Sequence, residues 1–200
     1  MPALSVSVDG EHLATVAISG LTMLNIHLSG QRWEEELAIL DMDGGNYAGN
    51  DKSTYLTWIN CRALEAGQMV TVTCVADAPT NSRGKTIDEL YPDQPPSEQP
   101  DFTPTAAMFE EIGRRPMLRD GYAFKLSTSR GVEYSGRTEA DEYGFTLRVL
   151  WNSRYRPECA RFSVSTITLE QLRTRAPRRD HISGELFLSQ SVRFQVWPTS

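Results

Sequence analysis

Strict alternation of apolar and polar residues recurs along this chain and limits its possible folds more than any other feature. "LSVSV" sets Leu4, Val6 and Val8 on one side, and "MLNIHL" does the same with Leu24, Ile26 and Leu28. "MVTVTCV" keeps the rhythm, and "YAFKLSTS", "GFTLRVL", "CARFSVSTI" and "SVRFQVW" resume it further on. Period two is the repeat of a strand with one buried and one wet face. Asp-Gly and Ser-Gly between these stretches supply tight turns. Helical signals are short. Thr86-Ile-Asp-Glu89 and Thr168-Leu-Glu-Gln171 are capping boxes, and "TPTAAMFEEIGRR" offers about two turns. The expected class is mainly β, with two small antiparallel sandwich- or barrel-like units and a few short helices.

The division into units falls at "YPDQPPSEQPDFTP", which holds five of the chain's 11 prolines. Proline at that density joins neither a helix nor a central strand and favours an extended connection. The expected organisation is an acidic β unit at 1–91, a linker or strap at 92–104, and a second β unit at 105–200. A shift of about 120–124 residues lays "LSVSV" on "FKLSTS", "MLNIHL" on "FTLRVL", "LAILDM" on "RFSVST" and "GQMVTVTC" on "SQSVRFQV". A nearly constant offset is what tandem duplication leaves. "TIDEL" and "TLEQL" match at a different offset, and alternation alone aligns any two meanders, so duplication and coincidence both stay open.

Composition narrows the setting. Two hundred residues at 40% hydrophobic can bury a sizeable core, and no apolar run approaches the roughly 20 residues of a membrane helix. The start carries no basic segment followed by an apolar one. Cys61, Cys74 and Cys159 form no CxxC pair, so free thiols and a cytoplasmic address are expected. Residues 1–100 hold 14 acidic against five basic groups, a net −9, and residues 101–200 hold 12 against 15, a net +3. The acidic half disfavours double-stranded nucleic acid and suits a protein with a basic surface; otherwise it serves solubility alone. Oligomeric state is left open.

Motifs for chemistry are sparse. In "DMDGGNYAGNDKS", Asp41 and Asp43 suggest a calcium loop. Counted from Asp41, however, position 6 is Asn46 and position 12 is Lys52, where an EF-hand needs Gly and Glu. A glycine-rich turn is the expectation, with no metal duty. "SRGKT" ends like a phosphate loop, yet Pro79 stands where the leading glycine belongs. His12, His27 and His181 lack metal-ligand spacing, and His27 falls opposite Leu24, Ile26 and Leu28, toward solvent or an interface. Cys74 and Cys159 read as small packing residues. No nucleophile elbow or triad is visible, and no cofactor motif.

The aromatic and arginine residues of "LWNSRYRPE" remain. Trp151, Arg154, Tyr155 and Arg156 are the side-chain types that dominate binding hot spots, although Trp151 also suits a core. "RTRAPRRD" adds Arg173, Arg175, Arg178 and Arg179, suited to phosphates, an acidic partner or solvent. The expected function is non-catalytic protein binding through Trp151, Arg154, Tyr155 and Arg156. An immunity-type inhibitor of a bacterial toxin is one form of it. Carbohydrate binding through Trp and Tyr is the second reading, and an enzyme without a visible motif the third.

Overall fold

The computed structural model describes residues 2–47, 54–93 and 105–199. In chain order the elements are β1 (Ala3–Val8), β2 (Glu11–Ala17), β3 (Met23–Gln31), β4 (Ala38–Asn46), β5 (Thr54–Leu64), β6 (Val70–Val75), α1 (Ile87–Leu90), α2 (Ala106–Arg114), β7 (Gly121–Thr128), β8 (Glu133–Arg137), β9 (Glu142–Asn152), β10 (Ala160–Thr168), α3 (Leu169–Thr174), β11 (Arg179–Leu186) and β12 (Ser191–Thr199). The alternating stretches become strands because one face of each is buried. Leu24, Ile26 and Leu28 of β3 face the core, as do Phe145, Leu147 and Val149 of β9. Each such side chain contributes roughly 1.5–3 kcal/mol by leaving water. The helices begin where their caps are. The Thr86 and Thr168 hydroxyls accept from the backbone N–H groups of Glu89 and Gln171, whose side chains accept in return.

The strands form two six-stranded antiparallel sheets, so the expected class holds. Sheet A runs β2-β1-β6-β12-β7-β8, and sheet B runs β11-β10-β9-β3-β4-β5. Each order repeats itself about its middle. The first half of the chain supplies β2-β1-β6 to sheet A and β3-β4-β5 to sheet B. The second supplies β8-β7-β12 and β9-β10-β11 in the same arrangement. Each half is thus a three-on-three antiparallel sandwich. The strands equated by the sequence offset (β1 with β7, β3 with β9, β4 with β10, β6 with β12) occupy equivalent places.

The two units are joined edge to edge. Strand β6 pairs with β12 from Thr73↔Ser191 to Val70↔Phe194, and β3 pairs with β9 from Met23↔Asn152 to Gln31↔Gly144. A three-stranded half alone would present β3 and β6 as bare edges with unpaired N–H and C=O groups; each half covers those of the other. One apolar cluster spans both, holding Leu4, Val72 and Leu24 together with Phe124, Phe145 and Phe194. The chain re-enters β7 already tied to the first half. Leu118 N–H donates to the Arg32 carbonyl at 2.8 Å, Arg119 Nη1 to the Gln31 carbonyl at 3.0 Å, and Arg32 Nε back to the Arg119 carbonyl at 3.1 Å. The proline-rich stretch from residue 94 to 104 lies outside the described residues.

The outer edges are closed differently. Beside β2 and β5 the chain at 80–85 acts as a strap: Asn81 Oδ1 accepts from Thr15 N–H at 2.7 Å, and Lys85 bonds Thr57 in both directions. Beside β8 and β11, side chains cross between the sheets. Tyr134 Oη lies 2.8 Å from His181 Nδ1, His181 Nε2 lies 2.9 Å from Thr166 Oγ1, and that hydroxyl donates to Glu142.

Residues 41–46 correct a second expectation. They complete β4 rather than open a turn, with Asp41 opposite His27 and Asp43 opposite Asn25. The two glycines serve close approach. A Cβ on Gly44 would lie 2.4 Å from the Met23 carbonyl oxygen, and one on Gly45 would lie 2.0 Å from that of Thr54. Residues 48–53 of the expected turn lie outside the described residues. Among the described residues, no helix is long and apolar enough to cross a membrane.

Candidate binding site at the seam

Where the halves meet in sheet B, the face turned away from the core is polar and hollow. A groove of about 870 Å³ is lined there by Asn25, His27, Thr146, Arg148, Ser163, Ser165, Arg178 and Asp180. Strand register builds it. His27 of β3 stands across the seam from Arg148 of β9, and Arg148 stands beside Ser163 of β10. One step along, Thr146 stands beside Ser165, and Ser165 beside Asp180 of β11. These are the polar members of the alternating stretches, so the pattern that buries the apolar set also fills the groove.

The groove side chains are held in place. Arg148 Nε donates to Asn25 Oδ1 at 2.9 Å, and Asn25 Nδ2 donates to Asp43 at 3.3 Å. Tyr55 is hydrogen-bonded to the same carboxylate; burial above all, and then that charge, pushes its phenol well above its ordinary range. Arg178 Nη1 donates to Thr146 Oγ1 at 2.8 Å. Neither Arg148 nor Arg178 has a carboxylate within 4.0 Å among the described residues, whereas Arg156, Arg173 and Arg179 are all ion-paired. Burial, opposed by Asp41 and reinforced by Arg148 and Arg178, holds the His27 imidazole below its ordinary pKa. At neutral pH it is an uncharged ring beside two fixed cations.

The hydroxyls of Ser163 and Ser165 are separated from His27 by β9, two strand spacings or about 10 Å, too far for proton transfer between them. The cysteines lie elsewhere, Cys74 and Cys159 buried and Cys61 exposed on β5, and burial raises all three thiol pKa values. Thiols so raised are poor nucleophiles at neutral pH. Among the described residues no three His, Cys, Asp or Glu side chains cluster in metal-binding geometry.

The four residues singled out in "LWNSRYRPE" separate. Trp151 does not belong to a surface: it is 6% exposed, faces the core, and its indole N–H donates to the Pro157 carbonyl at 2.9 Å. Its place in the strand alternation put it inside. Arg154 fixes the loop by donating to the Tyr47 carbonyl at 3.0 Å. Tyr155 is 81% exposed and, with Arg156, borders a second hollow of about 430 Å³ that includes Leu150, Cys159 and Arg161. Leu150 and Arg161 directly continue β9 and β10 from the groove, so Tyr155 and Arg156 stand at its far end. Of the four arginines at 173–179, only Arg178 lines the groove; Arg173 pairs with Glu170, and Arg179 pairs with Glu139 and Glu142. The outward placement of His27 was legible in its strand. Asn25, Thr146, Arg148, Ser163 and Ser165 shared that signal but need the cross-seam register to meet. Compared with known protein families, curated proteins and solved structures, the chain matches none.

Proposed function

We propose that this chain is a non-catalytic protein-binding module whose recognition surface is the outer face of sheet B at the seam. The observation that carries the reading is the pair Arg148 and Arg178 in an open groove, braced by Asn25 and Thr146 yet, among the described residues, without a carboxylate partner or an acid–base constellation beside them. Open relief on a strand-built face suits a protruding segment of another macromolecule better than a small ligand, which is usually enclosed over 70–90% of its surface. An exposed Tyr155 at the far end supplies the aromatic contact common at interfaces. Toxin inhibition by an immunity-type protein is one form this activity can take. The carbohydrate reading keeps Tyr155 as an exposed aromatic but loses Trp151, which is buried.

The test is photo-crosslinking in the source cells, with a photoreactive amino acid at Ser163 in one variant and at Thr73, on the outer face of sheet A, in another. A discrete protein adduct from position 163 that is absent from position 73 is the expected result. Adducts from both positions alike, or from neither, contradict the reading, as does saturable binding of a glycan at the groove.

A further inference from the structure

We propose that the groove receives a carboxylate from an acidic segment of the partner protein, seated between Arg148 and Arg178. This rests on the binding reading above and adds the chemistry of the contact. Thr146 and Arg148 lie two residues apart on β9, about 7 Å, and Arg178 is tied to Thr146. Two guanidinium groups are thereby presented side by side with donors to spare, since each has five N–H groups and each is shown making one side-chain hydrogen bond. Ser163 and Ser165 add hydroxyl donors from β10. Guanidinium forks match planar carboxylates in geometry as well as charge.

The surroundings choose between oxyanions. Asp180 lines the groove, and Asp41 and Asp43 stand on β4 just beyond His27 and Asn25. A singly charged carboxylate is neutralised by the arginine pair at modest cost from these neighbours. A phosphate dianion meets more repulsion, and among the described residues no glycine-rich backbone nest or helix N-terminus lines the groove to offset it. The contact is therefore opposite in sign to what the acidic first half of the sequence suggested, because the groove draws five of its eight lining side chains from β9, β10 and β11 of the second half. His27 and Asn25 join from the first.

Carboxylate seating is read by NMR titration of the full chain, following the His27 ring protons and the Arg148 and Arg178 side-chain signals. The probes are a blocked peptide of alternating Glu and Ala, the same peptide with Gln for Glu, and inorganic phosphate. Saturable shifts with the Glu peptide alone are expected, weakened about tenfold or more in Arg148→Gln with Arg178→Gln and unchanged in Arg193→Gln on sheet A. Saturation by phosphate in preference to the Glu peptide overturns the carboxylate assignment, as does equal binding of the Gln peptide or no saturable shift. Crosslinking from position 163 keeps the two claims apart. A partner captured equally by the double arginine variant sinks the carboxylate contact and leaves protein binding standing. A Glu peptide that binds while no protein is captured does the reverse.

Discussion

Trp151 and Tyr155 show how position within a strand, rather than residue type, decides a side chain's task. Both are aromatic, four residues apart, and both carried the composition of a binding hot spot. The alternation of β9 turns Trp151 inward after Phe145, Leu147 and Val149, while Tyr155 lies past the end of the strand where nothing covers it. Trp151→Ala is expected to cost roughly 3–5 kcal/mol in chemical denaturation, since it opens a cavity and orphans the Pro157 carbonyl. Tyr155→Ala should leave the midpoint unchanged within about 0.5 kcal/mol, as surface changes usually do. Equal losses in the two variants would contradict these placements.

At the scale of elements, the strands and caps were legible because their signals are local. Period-two alternation and a Thr three residues before Glu or Gln need no knowledge of the rest of the chain. Register is different. That Arg148 faces His27 depends on which edges meet, and two regions more than 100 residues apart carry no local mark of it. The extension of β4 through Gly44 and Gly45 was misread for a related reason. Glycine pairs signal turns in isolation, but here they admit neighbouring backbones.

The bridge from β8 through β11 to β10 was likewise invisible, and it has a consequence for pH. Burial first, and then Arg179, hold His181 below the ordinary histidine pKa, against the opposite pull of Glu142, Glu139 and Asp180. A base whose pKa is depressed on folding takes up protons more readily when unfolded. Its contribution is therefore complete above about pH 6.5 and is lost as pH falls below that value; His27 acts with the same sign. The urea midpoint should drop between about pH 7.5 and 5.5, and drop less in His181→Gln. A midpoint that is flat or rises on acidification would exclude this linkage.

For the whole molecule, the sequence offset carried real information about topology, since strands equated by it take equivalent places in both sheets. What it concealed is that the halves are fused: each supplies the missing neighbour for the other's open edges, and the candidate groove exists only where they join. Separating the halves tests this most directly. With a specific protease site inserted between Asp101 and Phe102, the cleaved protein should remain one particle of full-chain size in native chromatography and unfold in a single transition. Amides of β3, β9, β6 and β12 should stay protected from hydrogen exchange until that transition. Two fragments that part after cleavage, each folded with its own protected amides, would contradict the fused seam and remove the structural basis of the site built on it.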